Sequence, residues 1–487
     1  MNRKIEELAP AGIWKNFKEI TQIPRPSKKE ARMVEFVKKF GEKHRLETLV
    51  DAMGNIVIRK PATPGMENRK GVIFQAHLDM VPQKNSDNKH DFEKDPIDAY
   101  IDGEWVKANG TTLGADNGIG VAAMLSVLES TGLTHGPVEA LFTVDEETGM
   151  TGAFALKGDM LKGDILLNLD SEDEGELYIG CAGGVDGNIE FDYKEQDLPA
   201  GYMPVFIKVS GLKGGHSGLD INLGRGNSNL VLFRLLRKAE LSVGMRLCEF
   251  EGGNMRNAIP REAHATVLIP AAKQDEFAKL VNSLAQIIGK ELAATEPDLR
   301  IEWSETEKPA RVMHPDLQKK VIASVFSCPN GVIRMTDGIP GLVETSTNLS
   351  IVKTTGSKIS VSCLLRSSVD SAKQNLADIM HALFETAGAR VSFTGSYPGW
   401  KPNMNSDIVK VMDKVYRGMY GKEMEIKAVH AGLECGIIGG VYPELDMVSL
   451  GPTIRHPHSP DEKVNIESVQ KFWDFLVETL KNIPVKK

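Results

Sequence analysis

The stretch VIFQAHLDM, Val72 to Met80, decides how this chain reads. Val72, Ile73 and Phe74 suit the interior of a sheet, yet the run ends in Gln75, His77 and Asp79. Side chains alternate along a strand, so His77 and Asp79 point the same way. Alone, such an H-x-D is an ordinary histidine and acid at a solvated strand end. Its meaning depends on what stands at the ends of the other strands.

Upstream, residues 10–45 read as two helices. Ile13, Trp14, Phe17 and Ile20 share a face, and Pro24 and Pro26 break the run. Ser27 and Glu30 then have the S-x-x-E spacing of a capping box that would open the second helix. Strand patterns follow at NIVIRK (55–60) and GVIFQA (71–76), then an acidic, loop-like segment over 85–110. GADNGIGVAAMLSVLES (114–130) reads as a loop entering a buried helix. VEALFTVDEETG (138–149) and DILLNLD (164–170) are apolar strands that end in acids. Helices alternating with apolar strands predict an α/β domain with a mostly parallel sheet.

The character changes near Gly187. Short strands such as PVFIKV, HATVLIP and RVSFTG alternate with helices at 228–239, 274–294, 314–326 and 371–388, an α+β pattern. Segments 263–304 and 359–396 both run strand, helix, strand, as a diverged repeat would. Pro398, Gly399 and Pro402 mark a boundary, after which helix–strand alternation returns. The expected organisation is a catalytic domain over 1–187 and 400–487, interrupted by an inserted α+β lid or dimerisation domain over 188–399.

Composition narrows the function. The 487 residues are 41% hydrophobic and 25% charged, with a formal net charge of −8. That is an ordinary globular balance, and no basic block suggests nucleic acid or an anionic membrane as partner. The N-terminal residues lack the apolar core of a signal peptide, and no apolar run approaches a membrane span. Five scattered cysteines with no C-x-x-C argue against a disulfide framework or a zinc finger and fit reduced thiols in the cytoplasm.

Chemistry-bearing residues recur at one kind of place. His77 and Asp79, Glu146 and Glu147, and Asp170 stand at or just beyond the C-terminal ends of apolar strands. Asp116 lies in a glycine-flanked loop before a helix, and His458 in the loop LGPTIRHPHSPDEKV. In open α/β sheets ligands bind in the crevice beyond those strand ends. Each residue has a plainer reading: a solvated acidic turn at 146–147, the exposed run DSEDEGE after 170, a tight Asp116-Asn117-Gly118 turn, surface histidines at 456 and 458. All of these coinciding at strand ends of one domain is far harder to ascribe to chance. Carboxylates crowded into one pocket raise one another's pKa unless a cation neutralises them. Imidazole and carboxylate without thiolate suit Zn²⁺, Mn²⁺ or Co²⁺, and the surplus of donors favours two metals sharing a carboxylate.

The blocks AHLDMV, TTLGADNGIGVA, DEETGM, NLDSEDEGELYIGCAGG, GLKGGHSGLDI, EGGNMRNAIPRE, HAGLECG and GPTIRHPHSPDEKV run in order from about 76 to 465. With them the chain resembles the dinuclear zinc peptidase family that includes carboxypeptidase G, aminoacylase and the carnosinases. Within it, the chain is most similar to the bacterial branch that cleaves aminoacyl-histidine and other dipeptides. The resemblance implies that His77 and Asp170 hold one metal, Glu147 and His458 the other, and Asp116 bridges them, followed by a cis peptide to Asn117. The ions would be zinc, with cobalt or manganese as alternatives. Asp79 would steady the His77 ring. Glu146 would take a proton from the attacking water and give it to the leaving amine, which puts adjacent residues to different uses and requires an irregular strand end.

His216, in GGHSG, would supply a donor to the tetrahedral oxyanion from its own chain or from a partner. Asn257 and Arg366 would bind the substrate's backbone and terminal carboxylate, with Asn254 and Arg256 as competitors. The expected function is metal-dependent hydrolysis of dipeptides, with a homodimer formed through the inserted domain. An N-acyl amino acid hydrolase or other exopeptidase of the same fold remains an alternative, as does a non-catalytic peptide or amino-acid binder.

Overall fold

Three short runs, Val72–His77, Val138–Thr143 and Ile165–Asn168, are buried at every position. Strands with no solvated face belong inside a sheet covered on both sides, and such sheets are typically parallel. In the computed structural model, which describes residues 4–486, Val72–His77 lies between the other two and runs parallel to both. Asp446–Ser449 extends this parallel core beside Ile165–Asn168. Glu47–Val50 and Ile56–Lys60 close one side as an antiparallel pair, and Glu176–Cys181 and Glu425–Val429 complete an eight-stranded sheet at the other. The α/β fold expected from strand–helix alternation is therefore what forms.

Parallel strands finish at the same edge of the sheet. His77 stands level with Thr143, Gln75 with Asn168, and Asn168 with Ser449. Whatever follows each strand emerges at that edge. The helix Ala115–Glu129 is apolar on all sides and buried almost throughout. Helix Ala11–Ile20 turns Ile13, Trp14, Phe17 and Ile20 inward, and Asn16 Nδ2 donates to Ser126 Oγ at 3.0 Å on the buried helix.

The capping box expected at Ser27 does not form. Helix Ala31–Lys43 starts without a side-chain cap, and Ser27 Oγ instead faces the Met80 carbonyl at 3.4 Å. Lys28 adopts a left-handed φ of 69°. Glu30 Oε1 then accepts the backbone amides of Lys28 at 2.8 Å and of Asp145 at 3.1 Å. The acid serves a distant loop rather than its own helix.

The structure divides into two compact units. One holds the described residues through Gly180 together with Trp400–Ala428 and Leu433 onward, and the other holds Cys181–Gly399 with Val429–Gly432. The second unit is an α+β assembly with its own sheet and a core that includes Phe191, Phe233, Phe250, Phe277 and Phe384. Its two strand–helix–strand segments share one arrangement. Ala263–Pro270 and Arg300–Glu305 flank the antiparallel strand Tyr202–Ser210, just as Lys358–Ser367 and Arg390–Tyr397 flank Gly183–Asp192. No disulfide links the five cysteines, which are all buried. Among the described residues no helix is long and apolar enough to cross a membrane.

Gly451 shows how tightly this edge of the sheet is packed. A Cβ there would lie 1.6 Å from the Ser171 carbonyl oxygen, one residue beyond Asp170. Gly451→Ala is therefore expected to lower unfolding free energy by about 1–3 kcal/mol, read by urea denaturation in excess chelator. A change under about 0.5 kcal/mol would show that the edge yields without cost.

Candidate metal centre

Asp116 joins two histidines that are far apart in the chain. Its Oδ1 lies 3.0 Å from His77 Nε2, and its Oδ2 lies 3.1 Å from His458 Nε2. Asp170 Oδ1 is 3.3 Å from the same His77 nitrogen, and Glu147 Oε2 is 3.1 Å from the same His458 nitrogen. Two donor groups result, His77–Asp116–Asp170 and Asp116–Glu147–His458, each with its ligand atoms within 4.8 Å of one another. They share Asp116. A third grouping of the same tightness sets Glu146 beside His77 and Glu147.

Local backbone explains how each group arrives. Asp116 and Asn117 depart from helical angles at the start of helix Ala115–Glu129, and the peptide between them is cis. The Asn117 side chain donates to Asp170. After strand Val138–Thr143, Asp145 takes a left-handed φ of 52° and reverses the chain into the single helical turn Glu146–Gly149. Adjacent acids can then face different ways. Asp79 fastens this turn, accepting the amide of Glu146 on Oδ1 at 3.0 Å and that of Glu147 on Oδ2 at 3.2 Å. It also makes a 3.2 Å off-axis contact with His77 Nδ1. His458 likewise has a left-handed φ, of 58°, and the nearby His456 is exposed.

Three residues that the sequence pattern did not single out frame this set. Glu462 is buried and accepts four backbone amides from the Asp116 loop: Leu113 at 2.7 Å, Gly114 at 2.9 Å, Ala115 at 2.8 Å and Asp116 at 3.2 Å. Arg25, also buried, donates to the carbonyls of Leu78 at 2.9 Å and Asp79 at 2.7 Å and reaches Gly114 as well. It clips the end of strand Val72–His77 to the Asp116 loop. Glu434 takes hydrogen bonds from Gln75 at 2.6 Å and Thr143 at 2.8 Å behind His77. Glu462 and Glu434 lay inside the quoted blocks, but nothing in their spacing marked a role. Arg25 stood alone between two prolines.

The electrostatics describe a site built for added positive charge. Burial pulls His77 towards neutrality, but Asp170, Asp116 and Asp79 outweigh it and raise its pKa well above the ordinary range. Asp116 and Glu147 likewise push His458 up to about 11 against its burial. Burial raises Glu146, Glu147 and Asp170, each in company with further carboxylates. Asp79 goes the other way: burial would raise it, yet His77 and the Glu146 amide bring it down to about 2. The Glu147 Oε1 atom is buried without a hydrogen-bond partner among the described residues. These shifts all favour added positive charge, which divalent cations bound by oxygen and imidazole supply. The donor set fits such ions.

His216, Asn257 and Arg366 lie in the second unit. His216 Nδ1 accepts the amides of Gly218 at 3.1 Å and Leu219 at 3.0 Å, which leaves Nε2 as the protonated, donating nitrogen. Burial, with Arg366 nearby, lowers its pKa and keeps the ring neutral. Arg366 is only 5% exposed, contacts Tyr397 Oη at 3.2 Å, and has no carboxylate partner among the described residues. Buried His430, bonded to Ser346 Oγ at 2.6 Å, is pushed down to about 3 by burial and by Arg366. Arg256 is occupied by Asp186 and Asn188, while the exposed Asn257 offers its carbonyl to Ser217 at 2.8 Å.

Comparison with known proteins places this geometry. The chain is 47% identical over 483 residues to the cytosol non-specific dipeptidase of Escherichia coli, covering 99% of this chain and 100% of that one. It is 50% identical to the crystal structure of aminoacylhistidine dipeptidase from Vibrio alginolyticus, with a TM-score of 0.96 and coverage of 100% and 99%. The aminopeptidase PepT of Bacillus cereus shares the fold at 16% identity, with a TM-score of 0.58 over 98% of this chain and 99% of that one. The model of peptidase family M20/M25/M40 matches residues 73–482, and the chain belongs to that family.

Proposed function

We infer that this protein is a metal-dependent dipeptidase. The observation that carries the inference is the shared Asp116, whose two oxygens serve two separate donor groups beside Glu146. Full-length similarity to two bacterial dipeptidases supports the same activity. His77 and Asp170 are assigned to one divalent ion, Glu147 and His458 to the other, and Asp116 to both. Zinc is the proposed ion, since a set of imidazole and carboxylate with no thiolate suits it, as it does cobalt or manganese.

Held by these residues, a pair of ions would supply polarisation of the scissile carbonyl and a lowered pKa for the attacking water, from 15.7 towards about 7. Glu146 takes the water's proton on its carboxylate and passes it to the leaving nitrogen. Burial and the neighbouring acids Asp170, Glu434 and Glu147 raise its pKa, which brings its basicity closer to working pH. Asp79 holds that carboxylate's backbone in place through the Glu146 amide. In the second unit, we assign the neutral Nε2–H of His216 to the tetrahedral oxyanion and the Arg366 guanidinium, which has no carboxylate partner among the described residues, to the substrate's terminal carboxylate. Asn257 is assigned to the substrate backbone. The unit spanning Cys181–Gly399 is proposed as a lid and dimerisation domain, and the protein as a cytoplasmic homodimer.

Glu146→Gln should retain metal near the wild-type level, measured by elemental analysis, while kcat on dipeptides falls by about 10²–10⁴-fold. Retained turnover would remove Glu146 as the base. Metal uptake should also release protons. Without metal, Asp116 and Glu147 push His458 up to about 11 and the acids around His77 raise it from its ordinary value, whereas a metal ligand must be neutral imidazole. Titrating zinc into the metal-free protein at pH 7 should therefore release protons, about one or more per chain, read by calorimetry in buffers of differing ionisation enthalpy. Zinc binding without proton release would contradict this protonation state.

A further inference from the structure

Arg366 is a buried cation with one edge left open. Its Nη1 donates to Tyr397 Oη at 3.2 Å, and the guanidinium makes no other hydrogen bond or ion pair among the described residues. The Nε atom is buried and has no hydrogen-bond partner among them. In a guanidinium, Nε–H and one Nη2–H run side by side, and that edge matches the two oxygens of a carboxylate. With Nη1 taken by the phenol, the Nε–Nη2 edge is the one left for an anion.

Sheet register explains how the phenol gets there. Arg366 stands opposite Gly184 on one side of strand Gly183–Asp192, and Tyr397 stands opposite the same glycine on the other. Two strand spacings, about 10 Å, separate Tyr397 from Arg366 along this row. Their long side chains meet only because the residue between them has none: a Cβ on Gly184 would lie 2.6 Å from Tyr397 Oη. Gly432 makes room for the other edge of the ring, where a Cβ would lie 3.1 Å from Cε2. Buried Lys373 donates to the Tyr397 carbonyl and pins its backbone. The groups around the guanidinium stay neutral. Burial raises the Tyr397 pKa against the pull of Arg366, so the phenol keeps its proton. Ser346, opposite Arg366 on the next strand, bonds the neutral His430, and Asp186 is already taken by Arg256. A neutral partner orients a guanidinium without cancelling its charge, whereas a carboxylate partner would do both.

The dipeptidase reading, on which this inference rests, supplies the anion: the terminal carboxylate assigned to Arg366. A fork that is already oriented spares substrate binding the cost of ordering it. We propose that Tyr397 is a positioning residue, which holds Nη1 so that the Nε–Nη2 edge of Arg366 faces the substrate's terminal carboxylate and the site favours peptides whose C-terminus is free. Gly184 is the opening in the sheet that lets it do so.

The test compares L-alanyl-L-histidine with L-alanyl-L-histidinamide, in which a neutral amide replaces the terminal carboxylate. Both are assayed with zinc-loaded wild type, Tyr397→Phe, Arg366→Ala and the double variant. Phenylalanine keeps the ring beside Gly184 and Gly432 and removes only the hydroxyl. Tyr397→Phe should lower kcat/KM for the dipeptide by about 3–20-fold, mainly through KM, and leave both constants for the amide unchanged. Added to Arg366→Ala, the same change should have no further effect, because it acts through the guanidinium. A wild-type preference for the dipeptide that survives Tyr397→Phe overturns the proposal, whether both substrates fall together or neither moves. An equal loss from Tyr397→Phe in the Arg366→Ala background overturns it as well. A wild-type enzyme that cleaves both compounds equally well removes the carboxylate from Arg366, and this inference with it, while the dipeptidase reading stands. One that cleaves neither overturns that reading itself, and this inference with it.

Discussion

Asp116 gives one carboxylate oxygen to the side of His77 and the other to the side of His458, and the catalytic unit is organised around that division. A carboxylate can serve two centres only if its backbone is held still. Glu462 does this by gathering the amides of Leu113, Gly114, Ala115 and Asp116 into one buried carboxylate. Arg25 ties the same loop to the end of strand Val72–His77 through the carbonyls of Leu78, Asp79 and Gly114. Charge-assisted hydrogen bonds of this kind contribute about 1.5–3 kcal/mol each, enough to fix a loop that must present its side chain to two partners.

The same arrangement explains why the site is electrically unfinished as protein alone. Acids outnumber histidines at the sheet edge, and they raise the pKa values of both His77 and His458. Asp79 stabilises the set from behind, with its carboxyl kept ionised down to about pH 2 by His77 and the Glu146 amide. Glu172 and Glu434, by contrast, are both pushed up to about 8, by burial before anything else. They differ in what can reach them. Glu434 accepts from Gln75 and Thr143, whereas the half-buried Glu172 carboxylate has no hydrogen bond or ion pair among the described residues.

Much of this was legible in the sequence, for physical reasons. Runs such as VIFQA and ILLN are apolar at successive positions, which marks strands buried on both faces. The residue where such a run turns polar then marks the functional edge, as His77, Asp170 and the 146–147 pair do. What stayed hidden was action through the backbone. Ser27 and Glu30 have the spacing of a capping box, but the left-handed turn at Lys28 diverts Glu30 to the amide of Asp145. Arg25 and Glu462 act on carbonyls and amides of segments remote in sequence, and no local periodicity records such contacts. The DSEDEGE run misled in the opposite sense: it has the composition of a solvated loop, but Asp170, Asp173, Glu174 and Glu176 each have a side-chain partner.

The central claim is that one carboxylate joins two metal positions, and metal stoichiometry tests it directly. Wild type, His458→Ala and Asp116→Asn would be reconstituted with zinc, dialysed and analysed for bound metal. Two ions per wild-type chain are expected, with one retained in His458→Ala and both weakened together in Asp116→Asn. A wild-type chain that saturates with a single ion, or an Asp116→Asn chain that keeps both at unchanged affinity, would contradict the account.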